Sequence, residues 1–538
     1  MGEITMSKRD DDKKLSWLEH RLRLRSINRR EFMGRAAALG VTTALSTTLA
    51  DKAFAATPKR GGHMRAGRGH GSTTDNLDPG HSENGFTGSM IAATSNTLTE
   101  IGQSGQLEPN LAVSWEASDD AASWRFKIRQ DVEFHNGKTM TAEDVVASIN
   151  HHRGEDTSSA AKPLLESITD IKIDGDTVVF QLSGGDADFP FTIGDYHVTI
   201  MPSEEGVMQW REGIGTGGYV LDNFDPGVRA DFTRFPNYWR EDSAYFDSWE
   251  QLSITDVVAR TNALTTGEID VMDRVDLKTL HLLERNTDLK VEETTGTAHY
   301  TIPMRTDTAP FDDNNVRMAL KLAFDRDEML RTVLRGHGSV GNDHPISTAN
   351  RYHATDLPQR AYDPEKAKWH LKQAGLSSLK VDLSAADAAF AGAVDAAVVY
   401  KEHAAKANID INVIREPNDG YWSAVWMAKG WCMSYWGGRP TEDGMFSTAY
   451  AAGASWNATY WEHERFNKLL VEARAELDDP KRREMYFEMQ RILSDEGGVV
   501  VPMFNNYIFA MSTKIEHGEM QGNWDMDGSL FMERWWFA

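Results

Sequence analysis

With one cysteine, Cys432, in 538 residues, the chain can form no internal disulfide and has to be held together by buried surface alone. That length also exceeds what one hydrophobic core covers, so two or three separately packed lobes are expected. The composition, 40% apolar and 26% charged, is that of a soluble globular protein. The charge is lopsided, with 81 Asp and Glu against 57 Lys and Arg and a net of −24. Such a surface repels phosphate backbones and anionic lipid, which argues against nucleic acid or a membrane surface as partner. Free cysteine is most often a small buried hydrophobe, so core or cleft-wall packing is expected for Cys432 rather than thiol chemistry.

The N-terminus has its own pattern. Asn28-Arg29-Arg30-Glu31-Phe32-Met33 precedes a mildly apolar run, Ala36–Ala50, and then Ala53-Phe54-Ala55, small residues at the spacing a signal peptidase reads. These features in this order resemble a twin-arginine export signal over residues 1–55, implying a folded, exported protein that starts near Ala56 in the periplasm. The apolar run is too short to span a bilayer, and no other stretch approaches the ~20 apolar residues required.

Downstream, Leu77-Asp78-Pro79-Gly80 reads as a turn and Ser82-Glu83-Asn84-Gly85-Phe86 as a loop. Trp124–Arg129 alternates apolar and basic residues as a half-exposed strand does. Thr141 with Asp144 predicts a capped helix start. Ile171–Ile173 and Val178–Leu182 predict a hairpin across Asp174-Gly175-Asp176. Gly213–Tyr219 is a tight turn without the setting of a dinucleotide site. Val316, Leu320 and Ala323 recur at helical spacing, and Arg317 beside them is either a ligand contact or a surface ion-pair partner. Asp363-Pro364 opens a helix that Gly375 stops. Val381–Leu383, the helix near Asp387–Lys406 and Ile409–Ile414 form a β-α-β unit with parallel pairing. Glu464–Leu477 and Pro480–Leu493 form a helical hairpin, Val499–Phe504 and Tyr507–Met511 read as strands, and Arg534–Phe537 as a docked terminal plug.

Gly430-Trp431-Cys432-Met433-Ser434-Tyr435-Trp436-Gly437-Gly438 is an extended aromatic segment stopped by two glycines. From periodicity it reads as a buried strand or as a cleft wall where rings and bare backbone meet a ligand. The segment resembles the Gly-Trp-Cys-Ala-Asp-Tyr stretch of the bacterial oligopeptide- and dipeptide-binding proteins, the solute-binding family 5 of ATP-driven importers. Phe134-His135-Asn136-Gly137 with Ala142-Glu143-Asp144-Val145, and Phe311-Asp312 with Val316-Arg317, resemble other signatures of that family, and the likeness runs over essentially all of 59–511. In the family the first segment lies in the cleft, its backbone pairs with the peptide as an added strand, and its Asp takes the α-ammonium group. Ser434 stands at that Asp position, and a hydroxyl cannot supply the missing charge.

The resemblance implies an α/β, two-lobed periplasmic-binding-protein fold of type II, cluster C, with an inserted subdomain. Lobe I is expected over 57–103, 214–301 and 506–538, the insertion over 104–213, and lobe II over 303–505. It implies a periplasmic monomer that closes over a short peptide or peptide-like solute and hands it to an inner-membrane ABC permease. Gly430 and Cys432 are the expected backbone-pairing positions, and Trp431, Tyr435 and Trp436 the ring contacts, with Trp422, Gly85 and Phe86 as further candidates. Arg439 suits a ligand carboxylate or a structural salt bridge. Asp443 or Glu442 would replace the charge lost at Ser434. Alternatives are an opine, glutathione, a nickel chelate or a sugar conjugate on the same fold, or a secreted hydrolase. Catalytic signals are missing: seventeen histidines contain no His-Glu-x-x-His pattern, His151-His152 reads as a solvated helix end, and no Gly-x-Ser-x-Gly elbow occurs. No catalytic residue, metal or cofactor is expected.

Overall fold

The computed structural model describes residues 58–538 apart from 83, 104 and 419; the export signal read over 1–55 lies outside the described residues. A mixed sheet carries the fold. Its strands in chain order are β1 (His63–Arg68), β2 (Tyr219–Asp225), β3 (Arg229–Arg234), β4 (Ser248–Ser253), β5 (Val271–Met272), β6 (Leu289–Pro303), β7 (Gly338–Val340), β8 (Ser434–Trp436) and β9 (Val499–Ser512). Across the sheet they run β2-β3-β4-β1-β5-β9-β6-β8, with β7 also on β9. β1 lies parallel to β4 and β5, and every other pairing is antiparallel.

The two long strands are the structural axis. β6 and β9 pair from Leu289↔Ser512 to Thr295↔Asn506, lose register, and pair again from His299↔Phe504 to Pro303↔Val499. The hydrophobic partners change at that break. Before it, Ile508–Met511 pack into cores with Met64, Phe232, Trp249 and Leu264. Beyond it, Ile302, Val500 and Met503 join a core with Leu320, Leu383 and Tyr400, and Val501 and Phe504 one with Phe466 and Tyr486. A further core, with Phe126, Val145 and Phe180, lies between Leu98 and Ile200 around a four-stranded antiparallel sheet. The fold is thus two-lobed α/β, with an extra sheet and its helix placed between β1 and β2 in the chain.

Local sequence accounts for the elements. Trp124, Phe126 and Ile128 alternate inward along Ser123–Ile128. Asp144 accepts from the Thr141 amide at 3.0 Å and starts the helix Ala142–His151. Gly215 packs so closely that a Cβ would lie 2.2 Å from the Thr94 carbonyl oxygen, which explains a glycine turn without any phosphate. The parallel pair Leu379–Ala385 and Ile409–Arg415 flanks the helix Ala393–Ala405 as expected. The tail docks: Trp535 is fully buried and Trp536–Phe537 pairs with Ile515–Glu516.

Four expectations change. β9 is one continuous strand rather than two, because Asn505 and Asn506 continue the ladder across the register break. Gly85 begins the helix Gly85–Thr94, capped by Asn84, instead of sitting in a loop. Arg317 is buried and donates to the carbonyls of Phe311 and Glu496, tying the turn before its own helix to the end of the helix Asp479–Glu496 rather than pairing at the surface. His152 is buried against Ser159, 2.7 Å away, and burial pulls its imidazole down to about 3, while His151 is half-buried and reaches Asp78 at 2.8 Å.

Candidate functional site

A cavity of about 880 Å³ opens at the β6–β9 register break. Ala298, Asn505, Asn506 and Tyr507 form its floor, and residues from both sides of the break and from the inserted subdomain complete it. That volume falls within the roughly 300–1,000 Å³ of small-molecule sites.

One wall is charged. Arg68 ends β1, and Asp273-Arg274 follow β5, so these side chains sit just past the carboxyl ends of parallel strands, where open α/β sheets bind ligands. Arg68, only 1% exposed, lies 3.4 Å from the fully buried Asp273 and donates to the Gly85 carbonyl at 2.9 Å. Arg260 approaches the same carboxylate at 3.6 Å and donates to the carbonyls of Asp273 and Arg274. His70 receives the Gly85 amide at 3.3 Å, and burial, with Arg274 adding to it, pulls its imidazole down to about 4. Asp525 completes the wall. Burial, with Asp273 adding to it, pushes this carboxyl up to about 6. It is held there by a strained turn: Met526, Asp527 and Ser529 all have positive φ, at 54°, 57° and 63°. Asp527 pins that turn by accepting from Gln521, Arg534 and the Trp535 indole at 3.0–3.1 Å. Left-handed backbone at non-glycine residues is costly and persists where the surroundings over-determine it.

The other wall is aromatic. Tyr300 on β6 stacks on Phe390 with centroids 3.8 Å apart, and Tyr435 on β8 pairs directly across from Tyr300. All three line the cavity. Burial pushes the Tyr300 hydroxyl up to about 12, so it stays protonated. From the inserted subdomain Tyr196 meets Trp524 edge to face at 5.5 Å, and both line the same space.

Of the candidates read from sequence, Gly85 and Tyr435 line the cavity. Tyr435 is 46% exposed, with Trp422 against its ring at 5.6 Å; Trp422 is itself exposed and does not line the cavity. Phe86 is fully buried in the core beneath the helix and contacts nothing in the cavity. Trp431 is corrected most sharply: it is 1% exposed, sealed between Phe311 and Tyr400, because Trp431–Ser434 runs buried on both faces and the chain opens only at Tyr435. The Gly430 carbonyl accepts the Arg305 amide at 2.8 Å and Cys432 pairs with Ser384, so neighbouring segments of the protein occupy this backbone. Burial pushes the Cys432 thiol up to about 12, which leaves it inert. Ser434 is buried opposite Thr301. Trp436 packs against Trp456, 6.0 Å away, outside the cavity.

The polar candidates divide likewise. Glu442 accepts the Tyr352 amide at 2.6 Å and Asp443 binds Arg474 at 3.2 Å, so neither carboxylate replaces the charge missing at Ser434. Arg439 lies 5.8 Å over the Trp436 ring and has no carboxylate within ion-pair distance among the described residues. Burial lowers its pKa, with Asp195 across the cavity rim opposing. Gly438 before it presses on β6, where a Cβ would lie 2.2 Å from Thr297 Oγ1, and its φ is 79°; only glycine closes the aromatic wall there.

No group of three or more His, Cys, Asp or Glu side chains arranged to hold a metal ion occurs among the described residues, and none of their helices is long and apolar enough to cross a membrane. A family model described as bacterial extracellular solute-binding proteins, family 5 middle, matches residues 106–458. The dipeptide-binding protein of Escherichia coli is 26% identical over 440 residues, covering 73% of this chain and 80% of its own. Among solved structures, HbpA2 from Haemophilus parasuis superposes with a TM-score of 0.77 at 20% identity, over 87% of this chain and 99% of that one. DppA from Helicobacter pylori in complex with the peptide STSA gives 0.70 at 20%, over 88% and 98%.

Proposed function

Because the chain belongs to the bacterial extracellular solute-binding proteins of family 5, we propose that it is the periplasmic substrate-binding component of an ABC importer, carrying a short peptide or peptide-like solute between two lobes to the permease. The observation that carries this reading is the cavity at the register break of β6 and β9, the strands that run from one set of cores into the other. Ladder bonds are missing there, so the backbone can bend cheaply, and a solute that touches both walls favours the closed arrangement by its differential affinity for it. A micromolar solute supplies about 8 kcal/mol in all, so closure has to cost much less. Lobe I comprises 57–103, 214–301 and 506–538, the inserted subdomain 104–213 and lobe II 303–505. Export through the twin-arginine route delivers the folded monomer, and Gly85, Tyr435 and the rim residue Arg439 contact the solute.

Native mass spectrometry of freshly purified mature protein tests this. A bound small solute, released chemically unchanged by denaturation, is the expected result. Turnover of offered peptides, or scattering profiles that never change with any solute, would overturn it.

A further inference from the structure

The charged end of the cavity holds more cationic than anionic side chains. Arg68 and Arg274 line it with Asp525, and behind them Asp273 is shared by Arg68 and Arg260. Two of the guanidiniums are incompletely used. The Arg68 side chain is 1% exposed, yet its Nη1 has no hydrogen-bond partner among the described residues. A buried donor left so is costly unless something reaches it. Arg274 is exposed where it lines the cavity, and no described side chain or carbonyl pairs with its guanidinium. The helix Gly85–Thr94 starts at the same end, adding its positive pole.

An ammonium group is poorly served. Ser434 is buried and uncharged, Glu442 and Asp443 are occupied in lobe II, and the two further carboxylates of the lining are held, Glu100 by Arg240 and Arg534 and Asp195 by His197. Asp525 lines the cavity, but Arg68 and Arg274 both lie close enough to act on its carboxyl, so an ammonium there would face two guanidiniums for one carboxylate. A planar anion fits better, since guanidinium forks bind carboxylate and phosphate oxygens with charge-assisted bonds.

Resting on the carrier function above, we propose that this end of the cavity receives a negatively charged group of the solute, a carboxylate or a phosphate, through Arg68 and Arg274. The solutes are then acids recognised by their anionic end rather than by an amino terminus.

The test is retention by the mature protein, read by mass spectrometry after gel filtration, of four mixtures: tripeptides as free acids, the same tripeptides amidated, the same N-acetylated, and small phosphate esters. Free and N-acetylated acids should be retained at least about tenfold over amides, and Arg274→Gln, which breaks no hydrogen bond within the protein, should abolish that preference while its urea midpoint drops only slightly, from the loss of the charge that favours the Asp525 carboxylate. Retention of the phosphate esters alone supports the site with phosphate as its anion. Equal retention of acids and amides, loss of retention on N-acetylation, or an undiminished preference in Arg274→Gln would overturn the inference and leave the carrier standing. Retention of nothing from any mixture would overturn both.

Discussion

The wall around Arg68 and the wall around Tyr435 line one cavity and are held in place by different means. The charged wall stands on polar bonds, the chief ones between strands far apart in sequence: Arg68 and the Gly69 amide both reach Asp273, and Asp527 holds the indole of Trp535. The aromatic wall stands on a hydrophobic core, with Trp431, Tyr400 and Phe311 packed behind the strand that shows Tyr435 to the cavity. The difference teaches where stability and recognition can be separated. Along Gly430–Trp436 the side chain that faces the cavity, Tyr435, and the side chain that holds the fold, Trp431, are different residues. At the charged end Arg68 does both, and only Arg274 stands apart.

The strongest way to break the aromatic wall is from behind. Trp431→Ala removes a fully buried indole and should cost about 3–5 kcal/mol in urea unfolding, with any loss of solute retention following the loss of folded protein. A variant that keeps its urea midpoint but no longer retains solute would return Trp431 to the site. Next comes Arg68→Met in the charged wall, which strips Asp273 of one of its two guanidiniums. Breaking a buried pair in this way should cost about 3 kcal/mol, and the same variant should lose its preference for acids, so both readouts move together.

Asp525→Asn works in the opposite direction. Its carboxyl titrates near 6 in the folded protein, above the ordinary 3.8, because burial and Asp273 oppose its charge. Between about pH 4 and 6 the folded state therefore holds a proton that the unfolded state has released, and stability falls as pH rises through that window. Removing the charge should stabilise the fold by about 1–2 kcal/mol at pH 8 and by nothing near pH 3.5. Asparagine keeps the oxygen that accepts the Met526 amide at 2.8 Å. Urea midpoints at the two pH values check it; a gain of equal size at both would remove the charge as the cause.

Sequence alone reaches one wall better than the other. Period-2 alternation places Trp124, Phe126 and Ile128 inward, and glycine with aromatic residues marks 430–438 as a strand that ends at a wall. Alternation cannot separate Trp431 from Tyr435, which lie four residues apart and would share one face of a regular strand; Trp431–Ser434 are all buried and the chain opens only at Tyr435, and a flat ring at each position hides that change. Nothing local marks the charged wall. Arg68 and Asp273 stand at the ends of parallel strands that pair only in the folded sheet. Asp525 is delivered by left-handed Met526 and Asp527, residues without the glycine that usually announces such a turn. Arg534–Phe537 is legible as a plug, but the turn it pins is not.

The smallest expected change in folding comes from Tyr435→Ala, and it sharpens the contrast best. Tyr435 is 46% exposed, its ring touches Trp422 rather than the core, and its backbone pairing with Tyr300 survives truncation. Stability should therefore move by no more than about 0.5 kcal/mol. Affinity for whatever solute native mass spectrometry recovers should still fall by about 1 kcal/mol, the value of one aromatic face against a bound group, with Tyr435→Phe retaining most of it. Isothermal titration of the three proteins reads this directly. If truncation left affinity unchanged while Arg274→Gln lowered it, the charged wall alone would select the solute, and the tyrosine would serve only to close the space around it.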